Sequence, residues 1–134
     1  MTVRDFDADA INLMNLFEKQ THAAVRDCIS NENIYFLVEE GKAGLAIGKG
    51  GENVKKLQSM LKKRVRVWEY NSDVKEFVKN MIPETDKIEQ NGTKITIIIK
   101  SQDRGRVIGK GGENVKTIKE FLRRNSGVEE LDVK

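Results

Sequence analysis

Residues 47–55 read Ile-Gly-Lys-Gly-Gly-Glu-Asn-Val-Lys, and residues 108–116 repeat the same nine letters at an offset of 61. Identity of that length in a short chain is far beyond chance. It requires two copies of one structural unit, each of about 65 residues. The likeness continues outward in chemical character. Ile34 to Val38 corresponds to Ile95 to Ile99, and Leu57, Met60 and Leu61 correspond to Ile118, Phe121 and Leu122.

Both copies predict one order of elements. Ala10, Leu13, Met14 and Phe17 fall at the i, i+3, i+4, i+7 spacing of an amphipathic helix, with Asp7 or Asp9 as candidate N-cap. Val74, Phe77, Val78 and Met81 repeat that spacing, with Asp73 and Glu76 placed like a capping box and Pro83 as the stop. Two extended runs follow in each copy, 23–29 with 33–39 and 87–90 with 94–100; Asn91-Gly92 is a strong two-residue hairpin signal and Asn31-Glu32 a weaker one. A short helix over 43–47 or 104–108, the glycine cluster, a longer helix and a last strand (65–70 or 128–133, the latter after Gly127) complete the unit. The expected fold class is α+β, with α-β-β-α-α-β built twice and each three-stranded sheet packed by helices. The expected domains are 1–70 and 71–134, joined closely at Tyr70-Asn71-Ser72. Units this small bury only about 60% of their unfolded surface, so the two are expected to pack together rather than swing freely.

Gly48-Lys49-Gly50-Gly51 and Gly109-Lys110-Gly111-Gly112 are G-x-x-G loops between two helices. Glycine permits a sharp turn and removes the Cβ atoms that keep a ligand at a distance. The helix that follows directs free N–H groups and its positive dipole end toward the loop, an arrangement suited to phosphate. The nucleoside-triphosphate loop G-x-x-x-x-G-K-[ST] does not fit, because Gly44 to Gly48 is one residue short and Gly50 stands in place of Ser or Thr. The dinucleotide fingerprint fails at Asn53. A plain helix–helix turn would need the glycines but not a lysine at each tip. The segments 46–57 (AIGKGGENVKKL) and 107–118 (VIGKGGENVKTI) resemble KH domains, whose G-x-x-G loop clamps about four nucleotides of single-stranded nucleic acid. With the flanking elements, the whole chain is similar to the archaeal NusA-like transcription termination proteins, which carry KH domains in tandem. Because the extra helix and strand precede the loop in both copies, the subtype expected is type II.

Charge placement agrees. The net charge is only +3, but residues 42–66 carry +7, residues 100–124 carry +5, and the remainder carries −9. Lys49 and Lys110 at the tips, with Lys55, Lys56 and Lys116 within a turn and Arg106 just before the second loop, are the candidate phosphate contacts. Ile47 and Ile108 are the candidate apolar groove positions, beside Gly48, Gly50, Gly51, Gly109, Gly111 and Gly112. Val54, Leu57, Val115 and Ile118 read mainly as core, Lys62, Lys63, Arg123 and Arg124 as a solvated face, and Trp68 as buried.

One histidine, His22, and one cysteine, Cys28, leave no catalytic triad, disulfide framework or zinc cluster within this chain, and an acidic metal site at Asp5, Asp7 and Asp9 is a remote idea. No catalytic residue, cofactor, metal or small-molecule substrate is expected. No apolar run approaches the roughly 20 residues of a membrane span, and a single cysteine with no disulfide framework makes a reducing, cytoplasmic compartment the expectation. The resemblance implies single-stranded nascent RNA as ligand, RNA polymerase as a further partner, and a role in termination or elongation control. A ribosome-associated or RNA-processing KH protein is the alternative left open by the loops, and a small nucleotide hydrolase is the rival class.

Overall fold

The computed structural model describes residues 8–134. The chain divides into two compact units between Asn71 and Ser72.

The first unit opens with α1 (Ala8–Thr21). Asp9 lies in its first turn, where a carboxylate complements the helix dipole, while Asp5 and Asp7 lie outside the described residues. The helix ends where Thr21 folds its hydroxyl back, donating to the Phe17 carbonyl at 2.8 Å and accepting the Ala23 N–H at 3.1 Å. Then come β1 (Val25–Ser30), β2 (Ile34–Val38), α2 (Ala43–Ile47), α3 (Glu52–Leu61) and β3 (Val65–Glu69). β1 pairs antiparallel with β2, with a register irregularity between Val25 and Asp27, and β2 pairs parallel with β3. A parallel neighbour requires a crossover, and α2, the glycine loop and α3 form it. Phe17, Cys28, Ile34, Phe36, Val38, Ala46, Leu57 and Val65 make the core, with Phe17 stacked on Phe36 at 4.2 Å between ring centroids. Tyr35 and Trp68 are buried as well and stack at 5.1 Å.

The second unit repeats the plan with α4 (Val74–Met81), β4 (Lys87–Asn91), β5 (Lys94–Ile98), α5 (Arg104–Ile108), α6 (Glu113–Ser126) and β6 (Glu130–Val133), in sheet order β4-β5-β6. Asp73 caps α4 by accepting the Lys75 N–H at 3.1 Å. Ile82, held out of the helical region by the following Pro83, ends it at φ −129°. Phe77, Ile95, Ile97, Ile118, Phe121 and Leu122 are fully or almost fully buried.

Two local expectations are corrected. Asn91 pairs with Lys94, so the hairpin turns on Gly92-Thr93 rather than Asn91-Gly92. Gly92, at φ +62°, takes the first turn position, which leaves Asn91 free to extend β4. The final strand begins at Glu130 rather than 128, because Gly127, Val128 and Glu129 are taken up by the turn after α6, as three residues are after α3. In register, Ile34 faces Val65 and Ile95 faces Leu131.

Candidate nucleic-acid interface

Each glycine loop bridges the short helix and the long helix of its crossover. The backbone angles of the two loops agree within a few degrees: Gly48 and Gly109 lie at φ/ψ 81/168° and 79/170°, Gly50 and Gly111 at 64/20° and 63/16°, Gly51 and Gly112 at 76/18° and 77/13°. Three positive-φ residues out of four make this path accessible to glycine at little cost and strained for other residues. Lys49 and Lys110 occupy the one position per loop where a side chain is unstrained.

Hydrogen bonding inside the loop is partial. The N–H of Gly51 reaches the Gly48 carbonyl at 3.1 Å, that of Glu52 turns to the Lys49 carbonyl, and the second loop matches both. Among the described residues, the backbone N–H groups of Lys49, Gly50, Lys110 and Gly111 have no partner. No side chain caps α3 or α6. Orphan amides at an exposed loop before a helix are available to an anion.

Asparagine holds the turn closed. Asn53 Nδ2 donates to the Leu45 carbonyl at 3.1 Å, and Asn114 Nδ2 donates to the Arg106 carbonyl at 3.1 Å. A Cβ on Gly48 would stand 3.0 Å from the Asn53 side chain, and one on Gly109 would stand 2.9 Å from that of Asn114. The first glycine and the asparagine therefore form one device. Sequence reasoning passes over these asparagines; their presence in both identical nonapeptides is the available signal.

The cations are disposed around this frame. Lys49 and Lys110 are exposed and make no ion pair among the described residues, and the same holds for Lys55, Lys56 and Lys116. Lys55 leans over its loop, with Cε 3.9 Å from where a Cβ on Gly51 would stand; Lys116 does so at 4.0 Å over Gly112. Arg106 is different: its guanidinium is held by Glu84 at 3.1 Å and Asp103 at 2.5 Å. Ile47 is exposed (38%) and Ile108 half-buried, Val54 and Val115 are half-buried, and Leu57 and Ile118 belong to the core. Leu45 is half exposed (50%) on α2, an apolar position that sequence reasoning misses; its counterpart is Arg106.

Among the described residues, no group of three or more His, Cys, Asp or Glu is placed to hold a metal ion, and no helix is long and apolar enough to cross a membrane.

The KH domain signature matches residues 14–82 and again 69–134. The probable transcription termination protein NusA of Methanococcus vannielii is 34% identical over 95% of this chain and 78% of its own length. The protein of the same description from Methanocaldococcus jannaschii is 31% identical over 93% of this chain and 72% of its own. A solved structure, the crystal structure of APE1850, superposes with a TM-score of 0.75 at 32% identity, covering 96% of this chain and all of the other.

Proposed function

The chain belongs to the KH domain family, as a tandem pair of the archaeal NusA-like type, and on that premise we propose that it is a non-enzymatic protein that binds single-stranded, nascent RNA through both GKGG loops. Its role is in transcription termination and elongation control, in the cytoplasm, with RNA polymerase as the machinery it acts upon. Phosphates of the strand accept hydrogen bonds from the unused amides of Lys49 and Gly50 in one loop and of Lys110 and Gly111 in the other. Lys49, Lys55, Lys56, Lys110 and Lys116 supply mobile positive charge around them. At about four nucleotides per domain, the two loops engage roughly eight. Ile47 and Ile108 meet bases, and Arg106, held by two carboxylates, shapes the rim of the second site.

The observation that carries this reading is the repetition of one loop conformation, with the same unused donors, at two places in one chain. A turn required only for folding would not need donors left open twice. The test replaces Lys49-Gly50 and Lys110-Gly111 with Asp-Asp, singly and together, and measures RNA binding by fluorescence anisotropy. Space is open beside Gly50 and Gly111, and aspartate tolerates the left-handed region better than most residues, so the fold survives at reduced stability. Affinity falls at least tenfold for each single-loop variant and further for the double. Unchanged affinity in a folded double variant rejects the mechanism.

A further inference from the structure

The duplication supplies an internal control for every surface feature. Three residues join α3 to β3 in the first unit, Lys62-Lys63-Arg64, and three join α6 to β6 in the second, Gly127-Val128-Glu129. Both turns serve the same crossover, so folding does not demand three cations at this place. Lys62 also adopts the left-handed conformation, φ +55°, that Gly127 adopts at the equivalent stop. A lysine there is strained where glycine is not, and such outliers point to a use beyond the fold.

The cations of this turn are unneutralised. Among the described residues, Lys62, Lys63 and Arg64 have no ion pair, whereas Arg123 and Arg124 near the other turn both pair with Glu120. With Gln58 they line an open depression of about 380 Å³ that contains no apolar residue. Protein partners select surfaces with apolar or aromatic anchors and little lysine; nucleic-acid backbones select polar, strongly positive ones. The ten residues of α3 place this turn about 15 Å from the GKGG loop, with exposed Lys55, Ser59 and Lys62 at i, i+4 and i+7 between them.

We propose that Lys62-Lys63-Arg64 is a second phosphate contact for RNA, built into the first domain alone, that holds the strand outside the loops. It rests on the RNA-binding reading above, because a strand already held at the loop raises the effective concentration of its own flank at this turn.

The test uses the full chain with Lys62→Gly and Arg64→Gln together. Lys63 is left in place because its Nζ is tied to the Asn31 carbonyl at 2.8 Å. Binding to a single-stranded 20-nucleotide RNA is titrated across salt concentrations. Because the variant neutralises two fewer phosphates, the log–log salt slope flattens by about 1.4, at roughly 0.7 per phosphate, and the melting temperature does not fall because Lys62→Gly relieves the backbone. A control with the same charge change, Lys75→Gln with Lys79→Gln on α4, leaves the slope near the wild-type value. A turn variant with the wild-type slope overturns the proposal and leaves the turn to an acidic protein; equal flattening in the control overturns it in favour of the general field. Loss of binding in the Asp-Asp loop variant, alongside a turn variant that behaves as wild type, refutes this proposal and spares the loop mechanism.

Discussion

Gly48 and Gly50 are both glycine with positive φ, yet the structure makes them unequal. Gly50, at 64/20°, is in the left-handed region that other residues visit for about 1 kcal/mol, and nothing stands within 4 Å of its missing Cβ. Gly48, at 81/168°, is in a region almost reserved for glycine, and its missing Cβ would strike Asn53 at 3.0 Å. Urea titration is therefore expected to show Gly48→Ala as the more destabilising by at least about 1 kcal/mol. Asn53→Ala removes the hydrogen bond to the Leu45 carbonyl and is expected to cost about 1 kcal/mol, with weaker RNA binding as the loop loosens. The glycines and the lysine between them were legible in the sequence, because turn chemistry and a charged tip are local properties. The clamp was not: a donor eight residues from its acceptor is a matter of tertiary geometry. Arg106 is a mixed case: Asp103 three residues before it is a local partner, but Glu84, 22 residues away, reaches it only in the folded unit.

Elements were legible where the apolar period spanned several turns, and the repeat allowed each to be read twice. The short helices at 43–47 and 104–108 emerge over those residues, and α4 begins at its aspartate and ends before its proline. What escaped was phase. The stop of α6 at Gly127 was legible, but the three-residue turn that delays β6 to Glu130 was not, and the hairpin is displaced because Gly92 takes the position with φ +62°. Asp73→Ala removes the one side-chain cap of α4 and is expected to lower stability by about 1 kcal/mol, while Asp73→Asn stays close to wild type in thermal denaturation. An Asp73→Ala variant as stable as wild type excludes the cap as a determinant of that helix.

Across the whole molecule, the mechanism proposed above gives one chain two loop sites and so makes binding bivalent. Linking modules raises avidity by roughly 10²–10⁴ when both can engage, so an eight-nucleotide strand is expected to bind at least about 100-fold more tightly than a four-nucleotide one. Anisotropy with the two lengths measures this, and near-equal affinities rule out joint engagement of a single strand. The two halves also differ in one property with a practical use. The only tryptophan, Trp68, is buried against Tyr35 in the sheet of the first unit, so intrinsic fluorescence reports on that half alone. Calorimetry records heat from both. The protein thus carries its own site-specific optical probe. Coincident optical and calorimetric melting identifies one cooperative folding unit, and separated midpoints identify two independent ones, without any label being attached.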